Sequence, residues 1–172
     1  MAPPKPKVEP LPNAVSHSLS WATKDDADLL PGILRSLYRH DVPDAPEPTE
    51  DQITDHIHDL LSGATPHRLL LAKDQQGRII GLAAIALFTS VSDPRLSHRR
   101  QIELKELYVL PECRGEGVGE ALFHWIKTHA KSVGAHRIDW HVKRDNARGI
   151  GFYHRQDAQI VQTRLSMRLI LD

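Results

Sequence analysis

Cysteine occurs once in the 172 residues, at Cys113, so no disulfide can form within the chain. A cysteine-based zinc site is excluded for the same reason. Long apolar runs are missing too. The longest, Ile79 to Phe88, has ten residues, about half of what a membrane-crossing helix needs. Charge of one sign is not in excess: Lys plus Arg and Asp plus Glu are each 22. A protein held on nucleic-acid phosphates would carry a basic surplus or stripe. The N-terminus, MAPPKPKVEPLP, lacks the apolar stretch of a secretory signal. These absences lead to the expectation of a cytoplasmic protein with no membrane and no nucleic-acid partner. Histidine is plentiful, at 11, but its spacing is poor for a metal. His56 and His58 cannot share a helix face, His124 and His129 are five apart, and no metal is expected.

What is present is ordinary for a globular domain: 40 % hydrophobic and 26 % charged residues. The length suffices to bury a core without disulfides. Five prolines fall in the first twelve residues, which marks 1–16 as a flexible proline-rich tail and 17–172 as a single domain. A short strand is expected from about His17 to Thr23. Thr23 then caps a helix carrying Leu30, Ile33, Leu34, Leu37 and Tyr38 at helical spacing, restarted or kinked at Pro31. After an acidic, proline-rich linker, Thr49-Glu50-Asp51-Gln52 forms a capping box opening a second helix that ends near Gly63.

The period then changes. Arg68–Lys73 and Ile79–Phe88 read as strands joined by a turn at Gln75-Gln76-Gly77. The polar loop Ser92–Arg100 leads to a strand at Ile102–Leu110. A helix bearing Ala121, Leu122, Trp125, Ile126, Ala130 and Val133 closes at Gly134. Arg137–Val142 is a strand, Asn146–His154 a short helix, and Gln159–Gln162 and Arg164–Leu171 two final strands. The expected order is β-α-α-β-β-β-α-β-α-β-β: an α/β (α+β) fold with a central mixed, mostly antiparallel sheet and flanking helices. The crossover from Ile102–Leu110 to Arg137–Val142 makes that pair parallel.

The stretch richest in chemistry is Leu107-Tyr108-Val109-Leu110-Pro111-Glu112-Cys113-Arg114-Gly115-Glu116-Gly117-Val118-Gly119. A strand enters a glycine-rich turn that opens a helix. Alternate glycines leave backbone amides unshielded, and a helix N-terminus adds unpaired amides and partial positive charge, which suits a pyrophosphate. The Gly-Lys-Ser/Thr of a P-loop is absent, and the dinucleotide pattern would need glycine where Glu120 stands. A glycine turn that merely starts a helix is the remaining alternative.

Arg114-Gly115-Glu116-Gly117-Val118-Gly119 resembles the Arg/Gln-x-x-Gly-x-Gly/Ala loop of the GNAT superfamily of acyl-CoA N-acyltransferases. The resemblance continues in Trp140-His141-Val142 and in Asp145 to Tyr153, where an Asn precedes Phe-Tyr on a short helix; it covers residues 17 to 171. It implies the GNAT fold, with the parallel pair splayed to admit the pantetheine arm of acetyl-CoA, used as cosubstrate. Backbone groups of Leu107 and Val109 would pair with that arm, the Val109 amide facing the thioester carbonyl as an oxyanion donor. Amides of Arg114, Gly115, Glu116, Gly117, Val118 and Gly119 would hold the pyrophosphate. Asn146 would bind near the pantetheine or order its loop, and Tyr153 would sit by the sulfur as general acid. Asp157 stands where the family usually has glycine; aspartate tolerates left-handed backbone better than most residues.

The implied reaction is N-acetyl transfer to a primary amine by direct attack, and such an amine needs a base. Glu103, eleven positions before Arg114, is the first candidate, where several family members place a catalytic glutamate; Glu106 is the second. Under strict alternation the two point to opposite faces, a count that a bulge would upset. His141 and His154 flank the same region and could relay protons, and Cys113 is a bystander. Asp41, Asp44, Glu47, Glu50 and Asp51 in the linker suggest an acidic rim attracting a small cationic amine. A peptide acetyltransferase and a non-catalytic acyl-CoA-binding domain are the alternatives. Family dimers often form through the C-terminal strands, so a homodimer is an open arrangement.

Overall fold

The computed structural model describes residues 17–171, so the expected tail at 1–16 lies outside the described residues. Chain contacts separate two compact units, one ending at Trp140 and one beginning at His141; each is described by itself.

The first unit opens with β1 (Ser18–Trp21). The Thr23 capping box initiates a 3-10 turn over Lys24–Leu29, and α1 (Leu30–Asp41) begins only there, with Pro31 in its first turn. Proline fits that place because its missing amide would have had no helical partner. The second capping box forms as read: the Gln52 amide donates to Thr49 Oγ1 at 3.2 Å and the Thr49 amide to Gln52 Oε1 at 2.9 Å, starting α2 (Glu50–Leu61). β2 (His67–Lys73) and β3 (Ile79–Thr89) follow, turning at Gly77 with φ +81°. Then come β4 (Arg100–Val109), a 3-10 turn at Pro111–Cys113, α3 (Val118–Ser132) and β5 (Ile138–Trp140).

The five strands run β1-β2-β3-β4-β5 across one sheet, antiparallel except for the parallel β4–β5 pair. Helices cover both faces. A Cβ on Gly81 would come within 3.0 Å of Val118 Cγ1 and 3.2 Å of Leu122 Cδ1, so α3 lies on the Gly81 face. The hydroxyls of Tyr108 and Ser36 are 2.8 Å apart, so α1 lies on the Tyr108 face. Leu30, Leu70, Leu71, Ile80, Leu82, Ile102, Val118, Leu122 and Ile126 are fully buried between these layers. Each contributes about 1.5–3 kcal/mol by leaving water.

Two polar clusters border this core. Asp26 is 5 % exposed. Burial pushes its carboxyl up, but the Lys73 ammonium and the Thr23 amide and hydroxyl outweigh it and hold the group below its ordinary value. Under the outer end of α3, His129 stacks on Trp125 and packs edge-on to Trp21, whose ring carries the Arg68 guanidinium 3.8 Å from its centroid. Burial and the Arg68 charge lower the His129 pKa below 6.5. Between that lowered value and the unfolded one near 6.5, the unfolded chain binds more protons, so stability rises with pH. The His129→Gln variant is therefore expected to lose less stability than the parent as pH falls through about 6.5. Denaturant unfolding at pH 7.5 and 5.5 measures this, and equal losses would remove His129 from the pH response.

The second unit holds α4 (Ala147–His154) and, among its described residues, no strand. This corrects the expectation of strands at Gln159–Gln162 and Arg164–Leu171. The alternation is present, but Leu165, Met167, Leu169 and Leu171 are all at least 82 % exposed. A period of two makes a strand only where an edge takes the hydrogen bonds and a surface takes the apolar side chains. Asp157 has φ +64°, the one non-glycine residue at positive φ among those described, as its place in the family loop suggested.

Candidate functional site

The site in the first unit is assembled around the end of β4. Its ladder with β3 slips once: Ala84 pairs with Glu106 but Ile85 with Leu104, leaving Lys105 as an extra residue. This bulge resets the alternation. Glu103 pairs with Ala86 and Glu106 with Ala84, two residues apart on β3, so both carboxylates project from one face. It is the Tyr108 face, on the side of α1. The opposite-face reading of Glu103 and Glu106 is thereby corrected. Asp139 of β5 stands in register with Glu103 and shares that face. Lys105 Nζ donates to Glu103 Oε1 at 2.9 Å, the Leu107 amide donates to Glu106 Oε1 at 3.2 Å, and Arg137 Nε donates to Asp139 Oδ2 at 2.7 Å. Asp139 was not singled out from the sequence, because register across a crossover cannot be counted along the chain.

The bulge also sets which edge the backbone presents. The Leu110 amide donates to the Ile80 carbonyl at 3.0 Å, which makes Leu110 and Ile80 a hydrogen-bonded pair. The neighbouring Val109–Gly81 pair is then non-hydrogen-bonded. Val109, and Leu107 two residues earlier, turn their amides and carbonyls away from β3. On that side β5 pairs with β4 only along Ile102, Glu103 and Leu104. Beyond Leu104 the edge has no strand partner among the described residues, so it can accept an extended ligand as an added strand.

The glycine-rich turn begins at the same place. Cys113 is buried, with Arg78 Nη2 3.6 Å from its sulfur. Gly115 has φ +89° and Gly117 φ +81°, and a Cβ on either would meet nothing within 4 Å. Backbone conformation, and not crowding, therefore selects glycine there. Gly117 is the N-cap of α3, and no side chain caps it. The first helical bond, from the Ala121 amide to the Gly117 carbonyl at 2.9 Å, leaves the amides of Val118, Gly119 and Glu120 without helical partners. Such a terminus fits an anion, a pyrophosphate included.

The acidic rim is smaller than the sequence suggests. Arg35 donates to Glu50 Oε1 and to the Pro48 carbonyl, both at 2.7 Å, and Arg39 Nε donates to Glu47 Oε1 at 2.5 Å. Tyr38 donates to the Pro46 carbonyl at 2.9 Å. Two of the five linker carboxylates thus fasten the linker to α1, and Glu47 is held below its ordinary pKa by Arg39.

In the second unit, Asn146 is the N-cap of α4, accepting from the Gly149 amide at 2.8 Å. A Cβ on Gly149 would come 2.7 Å from Asn146 Nδ2, so glycine there lets the cap fold inward. Tyr153 is half-buried near the end of the helix, its ring edge-on to Phe152. Among the described residues, no group of His, Cys, Asp and Glu could hold a metal and no helix is long and apolar enough to cross a membrane.

Comparison with known proteins gives a consistent result. The family model described as Acetyltransferase (GNAT) family matches residues 34–157. Over 139 residues, 81 % of its length, the chain is 29 % identical to a mycothiol acetyltransferase of Propionibacterium freudenreichii subsp. shermanii, of which it covers 42 %. The chain spans between 42 % and 58 % of the curated relatives it matches. Among solved structures, an integron cassette protein from the mobile metagenome of V. cholerae superposes with a TM-score of 0.82 at 23 % identity, covering 91 % of this chain and 94 % of that one. An aminoglycoside acetyltransferase from an uncultured soil sample superposes with a TM-score of 0.73 at 11 % identity, covering 91 % and 97 %. These two likenesses concern the fold.

Proposed function

The chain belongs to the GNAT acetyltransferase family, and we propose that it moves the acetyl group of acetyl-CoA to a primary amine, a small cationic one, by direct attack in a ternary complex. The observation that carries this reading is the conjunction at the end of β4: an unpaired strand edge runs into an uncapped, glycine-spaced helix N-terminus. In this reading the amides of 114–119 hold the pyrophosphate and the edge at Leu107 and Val109 takes the pantetheine arm. Acetyl-CoA supplies the activated acyl group.

The roles of the side chains follow from the chemistry. A primary amine with a pKa near 10.4 arrives protonated. Glu103 takes that proton, directly or through water. The Val109 amide, facing the open edge, donates to the carbonyl oxygen as negative charge gathers on it. Tyr153, assigned from the family pattern, gives a proton to the departing thiolate. Glu103, Glu106 and Asp139 share one face. Lys105 and Arg137 already pair with Glu103 and Asp139, so the preference for a cationic acceptor rests on the remaining carboxylates of this face and of the linker. The aminoglycoside acetyltransferase among the structural neighbours is in keeping with such an acceptor.

The test is a melting curve with acetyl-CoA, followed by a panel of amines read by CoA release. At 100 times its Kd the donor should add about 2.7 kcal/mol of stability, and diamines or aminoglycosides should accelerate release. A folded protein that shows no shift overturns the donor assignment. Release driven by peptides but not by free diamines moves the acceptor to proteins. A shift without any amine-dependent release leaves a binding domain and no enzyme.

A further inference from the structure

We propose that Arg114 is a positioning residue, which holds the peptide at the end of β4 in place with its side chain and so aims the Val109 amide; the proposal rests on the acetyl-transfer reading above. A first expectation for an arginine opening a phosphate loop is that its charge meets the phosphates. The side chain is committed elsewhere. Arg114 Nε donates to the Val109 carbonyl at 2.9 Å, in a partly buried bond between residues five apart in the chain. Its guanidinium lies 5.4 Å from the centroid of the Tyr108 ring. Tyr108 is itself fixed: it is 4 % exposed, and its hydroxyl donates to the Ser36 carbonyl at 3.2 Å and lies 2.8 Å from Ser36 Oγ. A chain of contacts therefore runs from α1 through Tyr108 and Arg114 to the Val109 carbonyl.

That carbonyl matters because of where it points. Val109 turns both its amide and its carbonyl to the edge that β5 leaves unpaired. With the carbonyl already accepting from Arg114, the group Val109 has to offer a ligand is its amide. Beyond Leu104 this stretch of strand has no ladder bonds on its outer side to hold its peptides. The Arg114 bond supplies the missing restraint, at the residue whose amide must meet a developing negative charge. Displacing such a donor by about 1 Å costs on the order of a hundredfold in rate.

The test compares two donors, acetyl-CoA and S-acetylpantetheine, which lacks the pyrophosphate and nucleotide, with the wild type, Arg114→Leu and Arg114→Gln. Leucine keeps bulk but has no donor; glutamine keeps one side-chain N–H. For a positioning residue, Arg114→Leu lowers kcat about ten- to a hundredfold with both donors, KM for acetyl-CoA stays near the wild-type value, and Arg114→Gln recovers part of the loss. If the variant instead raises KM for acetyl-CoA, keeps kcat and behaves as wild type with S-acetylpantetheine, Arg114 is a phosphate ligand and the proposal is overturned. Should the leucine variant not fold, the glutamine variant decides by the same split between kcat and KM. A wild type with no amine-dependent release from either donor overturns the acetyl-transfer reading itself, a result distinct from an active wild type whose variants lose only donor affinity.

Discussion

Replacing Tyr153 with phenylalanine is expected to lower turnover about 10²–10⁴-fold while leaving affinity for acetyl-CoA unchanged. The substitution removes one oxygen from a half-buried ring and keeps the edge-on contact with Phe152, so α4 should keep its packing. In this reading the phenol gives its proton to the departing thiolate only as the carbon–sulfur bond opens. Its value is therefore greatest while the carbon–sulfur bond is breaking and charge is accumulating on sulfur. Steady-state rates with a good amine, paired with acetyl-CoA titration, measure the effect. An unchanged rate takes Tyr153 out of the proton path.

Glu103→Gln is expected to suppress the reaction most at low pH. At pH 7.4 only about one part in a thousand of an amine with pKa 10.4 is neutral, and a positioned base is worth about 10²–10⁴ in rate. As pH climbs towards 10 the neutral amine becomes abundant and the deficit should shrink. Because the bulge at Lys105 brings Glu106 to the same face, Glu106→Gln is the necessary companion. A pH–rate profile of Glu103→Gln that matches the wild type, beside a distorted one for Glu106→Gln, would hand the role to Glu106.

What could be read from the sequence was local. The capping box at Thr49–Gln52, the turn at Gly77, the helix start after Gly117 and the tolerance of Asp157 for positive φ each depend on a few neighbouring residues, and the structure has all of them. Pro31 was legible as a helix restart, although the stretch ahead of it coils as a 3-10 turn. What depended on partners far along the chain was not legible. Glu47 and Glu50 look like free rim charges until Arg39 and Arg35 are found beside them. Asp139 looks like any strand carboxylate until register places it against Glu103. The alternation at 164–171 promised a strand, but the promise needed a neighbouring edge. The roles given to Leu107, Val109, Asn146 and Tyr153 came from the family pattern.

The extra residue at Lys105 has a consequence for how such a chain can evolve. Upstream of it, β4 sets Glu103 in register with β5 and on the α1 face; downstream, it sets Val109 towards an edge that β5 leaves unpaired. Deleting that one codon would put the two halves back in step and throw one of them onto the wrong side. Replacing Lys105 with another amino acid would not. Descendants of this gene should therefore keep the count of residues between Glu103 and Val109 fixed, whatever residue stands at 105.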